Sequence, residues 1–207
     1  MNYLFISNTS KPSKKEYESL QSITLNNYSI PCVEAAFKLG CKVYMGISRR
    51  YAEHVKCTNY PAVQFYNAQI YRNPLNVCQV YNAYKSLISI IRKKNINIIH
   101  CNTPIGGALG RFCKQHSNIK TVIYTAHGLH FYKGCNFLQY CIFYMIEKFL
   151  TKFTDVIITI NDEDFLAMSK MTKRNKHIKV YKVNGVGIDT SLLEATNVDN
   201  SRIRRSL

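Results

Sequence analysis

The chain has 207 residues, 46% of them hydrophobic, which leaves room for a full domain with a sizeable apolar core and excludes global disorder. The formal net charge is +16, with the basic excess spread over both halves; this favours anionic partners such as a phosphorylated substrate, nucleic acid or an anionic membrane surface. The eight cysteines form no C-x-x-C pair, so we interpret them as reduced residues of a cytosolic protein, not as disulfides or zinc ligands.

The first half of the chain alternates apolar runs with segments of helical spacing. YLFIS (3–7) predicts the opening strand, and the polar segment 11–21 that follows is interpreted as a loop. No secretory signal is predicted, because the N-terminus has neither a basic segment nor a long apolar stretch. The pattern then predicts a helix at 30–40, strands at 41–47 and 62–66, and a long helix at 75–94.

The alternation continues in the second half. INIIHC (96–101) is a continuous apolar run of the kind buried on both faces of a parallel sheet, and His100 within it is predicted to be buried. Thr103 and Pro104 are predicted as the N-cap and first residue of a helix over 103–116. Strands are also predicted at 120–126, 154–160 and 178–183, and helices at 136–153 and 161–174. This order of elements predicts an α/β fold with a Rossmann-like, doubly wound parallel sheet.

The composition changes after residue 183. Residues 184–207 contain two glycines, several turn-forming residues and a late basic cluster, SRIRRSL. We therefore predict one domain over 1–183, followed by a linker and the start of a second domain over 184–207.

Loops that follow strands are the candidate ligand sites, because ligands of open α/β sheets bind beyond the carboxyl ends of the strands. The loop after the strand that contains His100 leads into a helix whose first turns hold Gly106 and Gly107. Free amides at a helix N-terminus favour an anion, and glycines would let a phosphate or sugar approach. Because Ile105 replaces the first glycine of G-x-G-x-x-G, a dinucleotide site is disfavoured. The alternative, that these glycines pack the helix onto its sheet, stays open.

The loop YTAHGLHFYKG (124–134) contains more ionisable and hydrogen-bonding side chains than a turn needs. His127 can hydrogen-bond a sugar hydroxyl or stabilise charge at a reacting centre; the alternative is a purely structural histidine. We take His127 as the catalytic candidate. The candidate substrate-binding residues come from both loops and the helix between them: Asn102, Thr103, Gly106, Gly107, Arg111, Gly128, His130 and Lys133.

Two polar segments receive structural interpretations. NDED (161–164) has three carboxylates, but an Asn161 N-cap with acidic residues in the first helical turn explains them without a metal. KMTKRNKHIK (170–179) lacks interleaved stacking aromatics and is interpreted as a solvated face, so no nucleic-acid partner is predicted.

Four segments, taken together in their order and spacing, resemble the N-terminal domain of family-4 glycosyltransferases of the GT-B fold. The enzymes concerned are bacterial ones that build capsular or exopolysaccharide repeat units. The resemblance covers residues 85–190 closely and 1–84 in outline. The segments are IIHCNTPIGGALGR, VIYTAHGLHFYKG, IEKFLTKFTDVIITINDEDF and VNGVGID.

The resemblance implies retaining transfer of a sugar from a nucleotide-sugar donor to a saccharide or lipid-linked saccharide acceptor, with no metal or other cofactor. His127 matches the histidine that reaches the transferred sugar in this family, and Gly106 and Gly107 match a glycine-containing loop near the cleft. Asn102 stands where family members often carry a second histidine. VNGVGID matches the crossing to a second domain that holds the donor's nucleotide, and nothing in 184–207 replaces that domain.

The resemblance also sets the expected biological setting. We expect the acceptor-side half of a glycosyltransferase of surface polysaccharide synthesis, inactive by itself; the alternative is a non-catalytic acceptor-binding subunit that pairs with a separate donor-binding chain. It is expected in the cytoplasm, peripherally at the inner face of the plasma membrane, because its basic surface favours an anionic bilayer. If one face of helix 136–153 is exposed, it would add contacts through Phe137, Tyr140, Phe143 or Tyr144.

Overall fold

A parallel sheet forms the centre of the protein. The computed structural model describes residues 1–8, 12–19, 22–71, 73, 75–116 and 119–185. Within these ranges the strands are β1 (Asn2–Ile6), β2 (Lys42–Ile47), β3 (Gln64–Asn67), β4 (Ile98–Asn102), β5 (Thr121–Ala126), β6 (Val156–Thr159) and β7 (Lys179–Lys182). They lie in the order β3-β2-β1-β4-β5-β6-β7, and every neighbouring pair is parallel. This arrangement confirms the predicted α/β fold with a doubly wound parallel sheet.

Helices connect the strands much as the sequence predicts. They are α1 (Lys14–Glu18), α2 (Ile30–Lys38), α3 (Val77–Lys93), α4 (Pro104–Phe112), α5 (Phe137–Leu150) and α6 (Asp162–Thr172). The prediction of a loop over 11–21 is wrong, because Ser13 and Glu16 form a capping box that starts the short helix α1. Among the described residues, no helix has both the length and the apolar composition that a bilayer crossing needs. The predicted linker lies outside the described residues beyond Gly185.

The two faces of the sheet are covered unequally. Right-handed crossovers between β3 and β7 place α3, α4, α5 and α6 on one face, where they cover buried side chains such as Ile99 and Ile157. On the other face, Val33 of α2 packs in a separate cluster with Val43 of β2. The chain therefore winds in opposite directions on either side of the central strands β1 and β4. Ligands of such sheets bind at this switch point, beyond the carboxyl ends of the strands.

Two glycines bring α4 close to the sheet. A Cβ added at Gly110 would overlap Cys101 Sγ and lie 2.9 Å from Ile6 Cδ1. A Cβ added at Gly107 would lie 2.6 Å from Cε2 of Tyr124. Gly107 therefore has the packing role that the sequence left open, and Gly110, one turn further along the helix, shares it.

Gly110→Ala is expected to lower the free energy of unfolding by about 1–3 kcal/mol, the usual cost of overpacking a tight core. That loss would appear although alanine is intrinsically the better helix former by ~1 kcal/mol. Urea unfolding followed by circular dichroism measures it. Gly106→Ala is the matched control, because the nearest atom to its Cβ is Thr103 Oγ1 at 3.1 Å and the loss should be smaller. A Gly110→Ala protein as stable as the wild type would contradict the packing argument.

Candidate functional site

A cleft of about 710 Å³ opens at the carboxyl ends of β1, β4 and β5, at the switch point of the sheet. Its volume lies in the range of roughly 300–1,000 Å³ that is typical of small-molecule sites. The loops predicted after β4 and β5 share this cleft, and the loop after β1 joins them without having been predicted. The polar side chains that line it include Ser7, Asn8, Asn102, Thr103, His127 and His130 from these three loops, and Thr24, Asn26 and Ser29 from the segment before α2.

His127 and Asn102 form a hydrogen-bonded pair between the ends of β5 and β4. Oδ1 of Asn102 accepts from Nε2 of His127. Because an amide oxygen can only accept, Nε2 carries the proton and Nδ1 of the neutral ring keeps a lone pair. Within the described ranges no group hydrogen-bonds to Nδ1. The ring of Tyr28 meets the imidazole edge-on, with 5.5 Å between centroids. His127 therefore offers the cleft an acceptor suited to a ligand hydroxyl.

The surroundings of His127 favour its neutral form. Partial removal of water from the ring lowers the pKa of His127 below its ordinary value of 6.5. Asn102 is only 4% exposed, so its main effect is to hold the tautomer and orientation of His127. The sequence placed Asn102 among the substrate-binding residues; it does line the cleft, and the geometry adds this positioning role.

The side chain of Asn8, and not that of Thr103, caps α4. Oδ1 of Asn8 accepts from the amide of Gly106 at 2.8 Å, while Oγ1 of Thr103 accepts from the amide of Asn8 at 2.9 Å. The amide of Gly107 donates to the carbonyl of Thr103. Thr103 holds the N-cap position and Pro104 begins α4, as predicted, but the side chain of Thr103 makes no capping hydrogen bond. The predicted anion site at the free amides is not supported, because both glycine amides already have partners.

Thr103 has an unusual backbone conformation. Its φ is +73°, a region that β-branched residues rarely adopt and that costs of order 1–3 kcal/mol. The bond from the amide of Asn8 helps to hold it there. The polar loop after β1 and the start of α4 are thus fixed to each other at the floor of the cleft.

The loop after β5 carries three further candidates in different settings. Gly128 has φ +131° and open space where a Cβ would lie. His130 lines the cleft, and its ring lies 4.9 Å from that of Phe143 in α5. Lys133 is exposed; its amide donates to Oε1 of Glu163, and its side chain is not among those that line the cleft. Of these three residues, Gly128 and His130 line the cleft and Lys133 does not.

The acidic start of α6 fixes this loop. Oδ1 of Asn161 accepts from the amide of Asp164 at 2.7 Å, which confirms the predicted N-cap. Both carboxylate oxygens of Asp164 also accept from the amide of Leu129, each at 3.3 Å. The NDED segment therefore holds the histidine loop against the sheet.

Arg111 is inaccessible to a ligand. Its side chain has no exposed surface, and its two terminal nitrogens donate to the carboxylate of Glu147 at 2.7 and 3.0 Å. Its Nε donates to the carbonyl of Gly107, and the guanidinium lies 3.9 Å from the ring centroid of Tyr124. The prediction that Arg111 binds substrate is therefore corrected to a structural role. A lone carboxylate inside the apolar sequence of α5 was the available signal for this pair.

A second, mostly apolar cavity of about 520 Å³ borders the cleft through Tyr28 and His127. It lies on the face of the sheet that α2 partly covers. His100 is at its floor, where Nδ1 meets the hydroxyl of Tyr3 at 2.6 Å and Nε2 meets that of Thr125 at 2.7 Å. The sequence correctly predicted that His100 is buried, but not that it belongs to this polar triad.

A family model and a similar known protein both relate this chain to glycosyltransferases. Residues 24–161 match the family model described as glycosyl transferase 4-like. The chain is 31% identical over 142 residues to EpsD of Bacillus subtilis (strain 168), a protein named as a glycosyltransferase, with 67% of this chain and 36% of that protein covered.

Two solved structures share the fold. Sucrose-phosphate synthase from Thermosynechococcus elongatus has a TM-score of 0.59 at 17% identity, over 100% of this chain and 52% of that one. A glycosyltransferase from Rickettsia africae ESF-5 has a TM-score of 0.52 at 12% identity, over 99% and 48%. The chain thus spans about a third to a half of the length of these proteins.

Proposed function

Because the chain belongs to the glycosyl transferase 4-like family, we propose that it forms the acceptor-side half of a retaining glycosyltransferase. In this proposal a sugar moves from a nucleotide-sugar to a saccharide acceptor, which is lipid-linked and belongs to surface polysaccharide synthesis. The reaction takes place at the cytoplasmic face of the membrane. No observation favours the non-catalytic alternative.

The observation that carries the proposal is the pair of His127 and Asn102 at the switch point, open to the cleft. A neutral His127 with its Nε2 proton committed to Asn102 accepts a hydrogen bond from a sugar hydroxyl at Nδ1. Gly128 leaves room in the cleft, because no atom other than those of Gly128 and its two chain neighbours lies within 4 Å of the place a Cβ would take. The site can therefore bind and orient a sugar through one acceptor of fixed tautomer.

Transfer needs more than this half of the cleft. Donor and acceptor must be held together and shielded from water, and one open face does neither. The proposal assigns the nucleotide of the donor to a second half, in keeping with relatives that are two to three times longer than the matched region. We therefore expect the 207-residue chain to bind an acceptor saccharide without steady-state transfer.

His127→Ala is expected to weaken saccharide binding about five- to tenfold, since a hydrogen bond lost from a bound ligand costs ~1–1.5 kcal/mol. The probes are the oligosaccharides of a bacterial glycan array, followed by calorimetric titration of the best-bound glycan. His177→Ala is the matched control, because His177 is exposed and does not line the cleft; it should bind like the wild type.

Uridine diphosphate serves as the nucleotide probe in the same titrations and should bind more weakly than the best glycan. Two results would contradict the proposal: unchanged affinity in His127→Ala, or tight binding of uridine diphosphate by a chain that binds no glycan.

A further inference from the structure

Helix α5 exposes an apolar surface to solvent. Phe137 is 82% exposed, Leu138 67% and Met145 62%. The other exposed apolar side chains of this helix are Tyr140, Ile142, Ile146 and Phe149. A contiguous apolar surface exposed to solvent commonly marks a site that binds another protein, a ligand or a membrane.

The spacing of these residues makes one continuous stripe. Leu138, Ile142, Met145 and Phe149 follow the i, i+4, i+7, i+11 pattern, so they lie on one side of the helix. The helix of 14 residues is about 21 Å long at ~1.5 Å per residue, and the stripe from Leu138 to Phe149 covers about 17 Å of it. We call these four residues, with Phe137 and Ile146, the α5 surface. The sequence expectation named the wrong aromatics in part, since Phe143 and Tyr144 pack inward on the core.

The border of the α5 surface is basic. Lys148 and Lys152 flank it, and Nζ of Lys152 lies 5.7 Å from the ring centroid of Phe149. The acidic residue of this helix, Glu147, points inward and is neutralised by Arg111. The exposed side of α5 therefore combines aliphatic and aromatic groups with positive charge and carries no exposed carboxylate.

We propose that the α5 surface is a membrane-docking surface that lies flat on an anionic lipid bilayer. Apolar side chains would enter the boundary between head groups and acyl chains, and the flanking lysines would keep their ammonium groups at the anionic head groups. The stripe is apolar along its whole length, and the charged residues at its border are lysines. This combination complements an anionic lipid surface. This inference rests on the proposed function, in which the acceptor is lipid-linked.

Docking through α5 would bring the cleft to the bilayer. Nε2 of Gln139, in the first turn of α5, donates to the carbonyl of His130 at 3.2 Å. The ring of His130 packs on Phe143 and also lines the cleft that contains His127. The α5 surface and the acceptor site are therefore connected by direct contacts, and a lipid-linked acceptor could reach His127 without leaving the membrane.

Vesicle flotation of the 207-residue chain tests the proposal. The wild type should float with vesicles of phosphatidylcholine and phosphatidylglycerol at low salt, and less with phosphatidylcholine alone or at high salt. Ile142→Asp combined with Met145→Asp should reduce binding roughly tenfold or more, because it places charge in the apolar stripe. Leu166→Asp is the matched control: Leu166 is 66% exposed on α6, and its replacement should leave flotation unchanged.

The charged border is tested separately with Lys148→Gln and Lys152→Gln. These variants should bind anionic vesicles more weakly than the wild type does and should bind phosphatidylcholine vesicles as the wild type does. The proposal is overturned if the folded wild type does not bind anionic vesicles at low salt, or if the double aspartate variant binds as the wild type does. It is also overturned if that variant loses self-association in sedimentation velocity and keeps vesicle binding, since the surface would then join two copies of the chain.

The two proposals fail in distinguishable ways, because the glycan titrations need no vesicles. Glycan binding that depends on His127 without any vesicle binding would remove only the docking surface. Vesicle binding through α5 without glycan binding would remove only the proposed function.

Discussion

Glu147→Ala is expected to lower the free energy of unfolding by about 3–5 kcal/mol, the cost of breaking a buried ion pair by removing one partner. Arg111 would keep its charge without exposed surface and without a counter-ion. Burial by itself would lower the pKa of Arg111, but the carboxylate of Glu147 raises it above its ordinary value. The variant removes this compensation and leaves the desolvation penalty. Circular dichroism in increasing urea measures the loss.

The exposed pair of Lys93 and Glu53 provides the control. Its nitrogen and oxygen are 3.7 Å apart and both side chains are largely exposed, so Glu53→Ala should cost less than about 1 kcal/mol. Replacement of both buried partners, Arg111→Met with Glu147→Leu, should recover much of the loss, because no charge is then left buried. Equal losses in Glu147→Ala and Glu53→Ala would show that burial does not set the energy of the pair.

Stability is expected to fall by about 3 kcal/mol as the pH drops from 6.5 to 4, through His100 alone. Burial, with a smaller contribution from His127, lowers the pKa of His100 from the ordinary 6.5 to about 4 in the folded protein. Below pH 6.5 His100 of the unfolded chain binds a proton, whereas His100 of the folded protein stays neutral until about pH 4. The contribution of a neutral His100 is therefore complete above pH 6.5 and lost through this window.

The measurement is the unfolding free energy at several pH values across this window. Carboxylates also change the unfolding free energy with pH in every variant. The comparison is therefore between the wild type and each variant in the slope of unfolding free energy against pH. His100→Gln should flatten the dependence, and His54→Gln, at an exposed histidine, should leave it unchanged. If His100→Gln retained the wild-type slope, protonation of another group would have to explain the acid sensitivity.

The sequence by itself determined the class of fold and the position of the central histidine. Continuous apolar runs such as INIIHC can only be buried on both faces, and their alternation with helical spacing specifies a parallel sheet. A residue directly after such a strand lies at the carboxyl edge, which is where His127 is. The Asn161 cap of α6 could also be predicted from the sequence, because a cap joins residues that are only three positions apart.

Only the tertiary structure decided which polar groups remain available. Asn8 caps α4 from 98 residues away, and Arg111 finds Glu147 36 residues along the chain. The lone carboxylate of Glu147 in an apolar helix indicated a buried partner, but nothing in the local spacing identified that partner, so Arg111 looked like a ligand-binding residue in the sequence. The exposed side of α5 was equally undetermined, because this helix has apolar residues around most of its circumference. Local patterns fix secondary structure through short-range sterics and periodicity, whereas burial and pairing depend on which distant surfaces the fold brings into contact.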